Sequence, residues 1–300
     1  MKKILVVGSV NMDLVTSFDA LPKKGETSFG NGFLKNPGGK GANQACAASL
    51  LGADVTMIAS VGEDEFGKEL EKTVKGCNVR TKWKKDPSRT TGVATILLDE
   101  TEHDNRIIVI PGANYSLTKE DIDKNLSLIE EADILLLQLE IPLQTVEYVA
   151  SLGKKLEKTV ILNPAPGKKL PDSLLGNVSY LTPNETELSL VSGIDVNDEA
   201  SFHKACSSLR DKGVDTLLVT LGEKGVFVFN DECKELVPAY KVAPIDTTAA
   251  GDCFNGAFAR SLAKGCPLLD AIAYAQKASS ISIQRKGAIR SLPKEEEVLL

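Results

Sequence analysis

Asp252 lies in the run Asp246-Thr-Thr-Ala-Ala-Gly-Asp252-Cys-Phe-Asn-Gly-Ala257, which follows strand-like Lys241-Val242-Ala243 and enters an Ala-rich helical stretch. Ala249, Ala250, Gly251 and Asp252 should therefore sit at a helix N-terminus. Backbone N–H groups without intrahelical partners and the positive end of the helix dipole meet there, on a spot suited to an anion. Gly251 removes a Cβ where a phosphate must approach the backbone. Taken alone, a Gly-Asp pair at such a place is more simply a helix cap. The case for chemistry rests on what accompanies it.

A second helix entrance is Pro37-Gly38-Gly39-Lys40-Gly41-Ala42-Asn43-Gln44-Ala45, where Gly38, Gly39 and Gly41 make a donor-rich loop and Lys40 and Asn43 add polar side chains. It is not a Walker A loop, because Lys40 is followed by Gly41 rather than Ser or Thr. The dinucleotide spacing fails at Gln44. A tight turn explains one glycine; three suit a hydroxyl-rich or phosphate ligand. Asn11 and Asp13, two residues apart after the first strand, can face one side of an extended chain and hold adjacent sugar hydroxyls, although an Asn/Asp turn would look the same. Glu140 follows the apolar run Ile134–Leu137 and stands at the mouth of a strand. In Thr182-Pro-Asn184-Glu-Thr-Glu187, Asn184 and Glu187 could form a capping box or hold a hydrated metal and phosphates. Thr220-Leu-Gly-Glu-Lys-Gly225 follows a strand at a position suited to an adenosine group.

These residues need a scaffold. Apolar runs Ile4–Val7, Val55–Ile58, Ile134–Leu137, Val160–Leu162, Tyr180–Thr182, Thr216–Val219 and Val226–Phe229 read as strands. Helical periodicity intervenes at Ala42–Leu51, Phe66–Lys75, Leu143–Leu156 and Ala200–Lys212, and again at Leu268–Ser282. The strands are nearly continuous in apolar character. That predicts a doubly wound, mainly parallel α/β sheet with helices on both faces. Leu14–Phe18 with Thr27–Leu34, and Gly92–Leu98 with Arg106–Ile110, lack intervening helices and form either a small β-sheet lid or edge hairpins. The expectation is one domain over residues 1–300, with the lid from roughly 14–34 and 92–110.

With 42% hydrophobic and 25% charged residues in 300, the chain is neither disordered nor fibrous. No apolar run reaches the roughly 18 residues of a membrane span, and Met1–Gly8 is too short for a secretion signal. A net charge of −6 without a long basic block argues against nucleic acid or an anionic membrane as partner. Six scattered cysteines without a C-x-x-C pair give neither a zinc ribbon nor a dithiol site and suit the cytoplasm. Cys46 and Cys206 fit small buried positions. Of the two histidines, His103 and His203, the latter looks like a surface or cap residue, so a histidine base has few candidates.

In order along the chain, Asn11 and Asp13, Gly38–Asn43, Pro111-Gly-Ala-Asn114, Glu140, Asn163-Pro-Ala-Pro166, Thr182–Glu187 and Ala249–Asp252 resemble the PfkB family of sugar kinases over nearly the whole length. The forms Gly-Gly-Lys-Gly-Ala-Asn-Gln-Ala and Ala-Ala-Gly-Asp are similar to its ribokinase branch. Cys253 departs from the usual Thr or Ser. The resemblance implies ATP-dependent phosphorylation of the ribose 5-hydroxyl, with Asp252 as general base and Ala249, Ala250 and Gly251 as anion hole. It implies a sugar site of Asn11, Met12, Asp13, Gly39, Lys40, Gly41, Ala42, Asn43, Glu140 and Asp252. ATP would meet Asn184, Thr220, Leu221, Gly222, Glu223, Lys224, Gly225, Gly251, Asp252 and Gln276. Glu187 would position Mg2+ through water, and Asp246, Thr248, Ser282, Arg285, Gly287 and Ser291 would surround K+. Rival readings are a kinase for deoxyribose, fructose or a nucleoside, or a non-catalytic sugar-binding relative. The Gly38–Asn43 loop with Glu140 speaks against adenosine, and Asp252 against a binding protein. Apolar lid residues Phe29, Phe33 and Ile108 suggest a homodimer through the lid.

Overall fold

The structure, a computed structural model, describes residues 1–101 and 104–299; His103 lies outside the described residues. The strands are β1 (Lys3–Val7), β2 (Asn11–Phe18), β3 (Gly32–Gly38), β4 (Asp54–Gly62), β5 (Arg80–Asp86), β6 (Gly92–Asp99), β7 (Asp104–Ile110), β8 (Ile134–Leu137), β9 (Thr159–Leu162), β10 (Tyr180–Leu181), β11 (Thr216–Thr220), β12 (Gly225–Phe229) and β13 (Lys234–Pro238). The α-helices are α1 (Lys40–Leu50), α2 (Glu65–Gly76), α3 (Lys119–Asp123), α4 (Leu126–Glu131), α5 (Leu143–Lys155), α6 (Asp172–Leu175), α7 (Glu185–Ser192), α8 (Glu199–Asp211), α9 (Ala250–Ala263), α10 (Leu268–Ser282) and α11 (Glu295–Leu299).

The main sheet runs β13-β12-β11-β10-β9-β8-β1-β4-β5, parallel from β5 to β11 and antiparallel at β12 and β13. Its central strands are buried on both faces. Ile4 and Val6 of β1 enter one core with Ala45, Phe254 and Phe258, while Leu5 and Val7 enter the other with Val146, Val149 and Leu162. This is why those strands carry no polar alternation. The chain moves from β1 outward to β4 and β5, then returns to β8 on the other side of β1. Between β1 and β8 the winding therefore reverses, and the crevice beyond the carboxyl ends of those strands is where an open α/β sheet binds ligands.

The second sheet, β3-β2-β6-β7, is the expected lid, with β2 and β6 parallel and the outer pairs antiparallel. It departs from the main sheet directly after β1. Some boundaries differ from the sequence reading. The strand placed at Thr27–Leu34 begins only at Gly32, and Lys241–Ala243 is an exposed connection bracketed by Pro238 and Pro244 rather than a strand. Arg80–Asp86 and Lys234–Pro238 form edge strands that the apolar pattern misses, because charged side chains are what protect an edge. No helix of the described residues is long and apolar enough to cross a membrane. All six cysteines are free, and Cys46 and Cys206 are buried in α1 and α8 as expected.

Helix α9 is buried almost all round, and its Gly256 lies against α1. A Cβ there would fall 2.6 Å from both the Ala47 Cβ and the Gln44 carbonyl oxygen. In an unconstrained helix Gly→Ala stabilises by about 0.5–1 kcal/mol. Here the sign should reverse, since overpacking costs about 1–3 kcal/mol. We predict that Gly256→Ala lowers the urea midpoint; a raised midpoint would contradict the close approach of α1 and α9.

Candidate active site

Three strand ends and two helix entrances meet in the crevice. Past β1, Ser9 turns the chain into β2, which sets Asn11 and Asp13 on one side of an extended strand. Glu140 lies three residues past β8. Its Oε2 accepts from Ser9 Oγ at 2.5 Å, from the Lys40 backbone N–H at 3.1 Å and from Asn11 Nδ2 at 3.4 Å. Lys40 opens α1, so the Glu140 charge also complements the dipole of that helix. Asn114 fixes the floor. It exchanges two 2.9 Å hydrogen bonds with the Val10 backbone and donates to Asn11 Oδ1 at 2.8 Å.

Charge in this crevice is unbalanced. Burial, then the charges of Glu140 and Asp252, push the Asp13 carboxyl up from 3.8 to about 7, against the pull of Lys40. Burial works to lower the Lys40 ammonium, but Asp252, Glu140, Glu187 and Asp13 outweigh it and hold the group above its ordinary value. Four acidic side chains around one lysine repel an anionic sugar. They suit a neutral polyol whose hydroxyls donate to carboxylates.

Asp252 is 6% exposed and occupies the first turn of α9. Two amides of α1 hold it: Asn43 Nδ2 donates to Oδ2 at 2.8 Å, and Gln44 Nε2 to Oδ1 at 2.9 Å. The second carboxamide atom of Asn43, Oδ1, is buried and has no partner among the described residues. It is an acceptor that a ligand hydroxyl would satisfy. Ala249 enters the helix in the left-handed region, φ 59° and ψ 14°. Ala250 N–H donates to the Thr247 carbonyl at 3.2 Å, so one of the three expected anion-hole donors already has an acceptor. Gly251 is exposed, and a Cβ on it would meet nothing within 4 Å. Packing therefore gives no reason for that glycine, whereas close approach of a ligand does.

Beside this turn opens a cavity of about 930 Å³. Of the expected nucleotide contacts, Asn184, Thr220, Gly222, Glu223, Lys224, Gly225, Gly251 and Gln276 line it; Leu221 and Asp252 do not. The sequence reading missed Tyr240, Lys241, Val242, Pro244, Ser279 and Ile283 on its walls. No regular element marks the loop that carries the first four. Asn184 and Glu187 form the capping box of α7. Burial raises the Glu187 carboxyl against the hydrogen bond from the Asn184 N–H and the pull of Lys40, with Asp252 adding to the rise.

Of the expected sugar contacts, Met12 and Ala42 have fully buried side chains in the core and can offer only backbone. Ser9, Gln44 and Asn114 belong to the site and were not foreseen as contacts; a polar residue just past a strand end is the signal that could have found Ser9. Five of the six residues expected near K+ fall into two hydrogen-bonded groups. Asp246 accepts from Thr248 N–H at 2.9 Å and from Gly287 N–H at 2.8 Å, and Ser282 Oγ lies 2.7 Å from Ser291 Oγ. Arg285 pairs with Glu297 instead. Among the described residues no group of three His, Cys, Asp or Glu side chains could hold a metal, so Mg2+ would need phosphate and water ligands beside a carboxylate such as Glu187. Cys253, next to Asp252, is buried and its thiol is pushed up to about 12. His203 of α8 packs on Phe202 and on Phe227 of β12, away from the crevice.

The family model described as pfkB family carbohydrate kinase matches residues 1–295. The chain belongs to that family. This kinase is 40% identical to the ribokinase of Haemophilus influenzae, over 99% of this chain and 97% of that protein. It is 36% identical to the deoxyribokinase of Salmonella typhi, over 98% and 96%. Among solved structures, the ribokinase of Arabidopsis thaliana complexed with ribose and ATP superposes with a TM-score of 0.92 at 34% identity, covering 99% of this chain and 97% of that one.

For this kinase the Asp13 carboxyl makes a test independent of activity. The folded protein keeps a proton there that the unfolded chain releases near 3.8. Stability from the neutral form is complete below about pH 4 and is lost as pH rises through about 7. The urea midpoint of Asp13→Asn should therefore gain on that of the parent protein across this window and level off above it. A difference independent of pH would show that Asp13 ionises normally.

Proposed function

We propose that this chain phosphorylates the 5-hydroxyl of D-ribose with ATP. The observation that carries the reading is the cluster of Asn11, Asp13, Lys40, Asn43 and Glu140 that ends at Asp252, one residue from the exposed Gly251 on the wall of the nucleotide-sized cavity. Asn11 and Asp13 hold adjacent ribose hydroxyls, Lys40, Asn43 and Glu140 hold the rest, and the 5-hydroxyl reaches Asp252. The carboxylate takes the hydroxyl proton as the new O–P bond forms and the bond from the γ-phosphorus to the β,γ-bridging oxygen breaks, releasing ADP. Backbone N–H groups of Ala249, Ala250 and Gly251 stabilise charge on the transferred group, Ala250 turning from Thr247 to do so. Alignment supplies much of the acceleration, and the lid excludes water that would otherwise attack ATP.

Mg2+, held by the ATP phosphates and through water by Glu187, neutralises phosphate charge when bound. Backbone carbonyls of 246–248 and 282–291 would hold K+, whose charge would steady the anion-hole turn. Exposed Phe33, Leu34, Ile107 and Ile108 on the lid are covered by the lid of a second copy. Deoxyribose is the second reading, favoured by the 36% identity to a deoxyribokinase. It lacks one of the two adjacent hydroxyls for which Asn11 and Asp13 provide.

ADP release over a panel of ribose, 2-deoxyribose, fructose and adenosine, each in potassium and in sodium at equal ionic strength, tests the proposal. Ribose should have the highest kcat/KM, and its rate should rise in potassium. A higher value for another acceptor would replace ribose, equal rates in the two salts would remove the cation site, and no ADP release with any sugar would end the kinase reading.

A further inference from the structure

The Asp252 carboxylate has only acceptor atoms when ionised, and that fact orders a chain of buried amides behind it. Gln44, fully buried in α1, must turn its NH2 group toward Asp252 Oδ1, at 2.9 Å; the same nitrogen donates to Asn163 Oδ1 at 3.1 Å. Both of its protons are then used. Its oxygen faces the other way and needs a donor, which Gln138 supplies at 2.6 Å from the end of β8. Gln138 is itself fully buried, and its own Oε1 has no partner among the described residues. An unpaired buried acceptor is costly. It is tolerated here because reversing Gln138 would set two amide oxygens against each other, and reversing Gln44 as well would set an oxygen against the carboxylate.

The chain continues on the far side. Asn163, past the end of β9, donates to the Thr182 carbonyl at 3.1 Å; Thr182 Oγ1 donates to Asn255 Oδ1 at 2.7 Å; and Asn255 Nδ2 donates to the Gly251 carbonyl at 2.8 Å. The network thus begins at the Asp252 carboxylate and ends on the backbone of the preceding residue. Its members come from the ends of three adjacent strands, from α1 and from α9. Two features of the first turn of α9 are fixed together: where its carboxylate points and how its backbone is held.

We infer that Gln44, with its carboxamide oriented by Gln138, is a positioning residue that fixes the Asp252 carboxylate for proton transfer, an assignment that rests on the kinase reading above. Asn43 also binds Asp252, but its free acceptor faces the sugar side, beside Asp13. Gln44 is bound on every polar atom to protein, so its role is orientation rather than substrate contact.

The test is a kinetic cycle with Gln44→Met, Gln138→Met and Asp252→Asn, with calorimetric Kd for ribose and ATP. Gln44→Met should lower kcat on the order of 10- to 100-fold, the effect of a base displaced by a fraction of its reach. Both Kd values should stay within about threefold, and Gln138→Met should show a smaller loss of kcat with the same constancy. In the Asp252→Asn background, Gln44→Met should change the residual kcat by less than about twofold, because no carboxylate is left to position. Unchanged kcat in Gln44→Met, or equal losses in both backgrounds, would overturn the assignment. If Gln44→Met does not fold, Gln138→Met decides by the same comparison. Failure of the parent protein to phosphorylate ribose would instead overturn the proposed reaction, and full kcat in Asp252→Asn alone would overturn Asp252 as the base; both are seen in the same measurements.

Discussion

The site depends on how closely two helices can approach. α1 and α9 each bring an N-terminus to the crevice between β1 and β8, and the missing side chain of Gly256 lets them touch where Ala47 and the Gln44 carbonyl lie. From that contact Asn43 and Gln44 reach across to the Asp252 carboxylate. Side chains 208 and 209 positions apart in sequence are thereby held within hydrogen-bond distance. Small residues along both helices serve the same end, since Ala42, Ala45, Ala48 and Ala257 are all fully buried in one core.

Bringing two helix entrances together concentrates positive backbone potential, and the chain answers with carboxylates. Glu140 sits on the first N–H of α1, Asp252 in the first turn of α9 and Glu187 in the capping box of α7. Burial first, then the excess of acid over the one lysine, raises Asp13 and leaves a pocket that favours hydroxyl donors. The exposed turn at Gly251 opens instead on the adjoining cavity. One buried carboxylate between a cluster of hydroxyl-accepting side chains and an exposed helix entrance is the arrangement that the proposed phosphoryl transfer to an alcohol requires.

Much of this was legible in the sequence because strong local rules agree. Continuous apolar runs such as Ile134–Leu137 announce doubly covered strands, and Leu268–Ser282 matches α10 at both ends. Asn11, Asp13, Lys40, Asn43, Glu140 and Asp252, each placed after a strand or at a helix entrance and grouped by the family resemblance, lie together. The amides behind Asp252 were not legible as a network. Gln138 and Asn163 are single polar residues beside apolar runs and Gln44 is one more amide after Asn43 at a helix start, and only the packing of α1 on the ends of adjacent strands places them side by side. The polar strand Arg80–Asp86 escaped for the opposite reason, since an edge strand obeys protection rather than burial. The nucleotide-side loop 239–244 has no period at all, so its contribution to the cavity comes from tertiary placement.

The central claim is that Asp252 accepts the sugar proton rather than merely capping α9. Asp252→Asn keeps size and capping ability while removing the acceptor. With ribose and ATP, kcat should fall by about 10²- to 10⁴-fold while calorimetry still detects both ligands on a folded protein. Undiminished turnover by a folded Asp252→Asn protein would contradict the account.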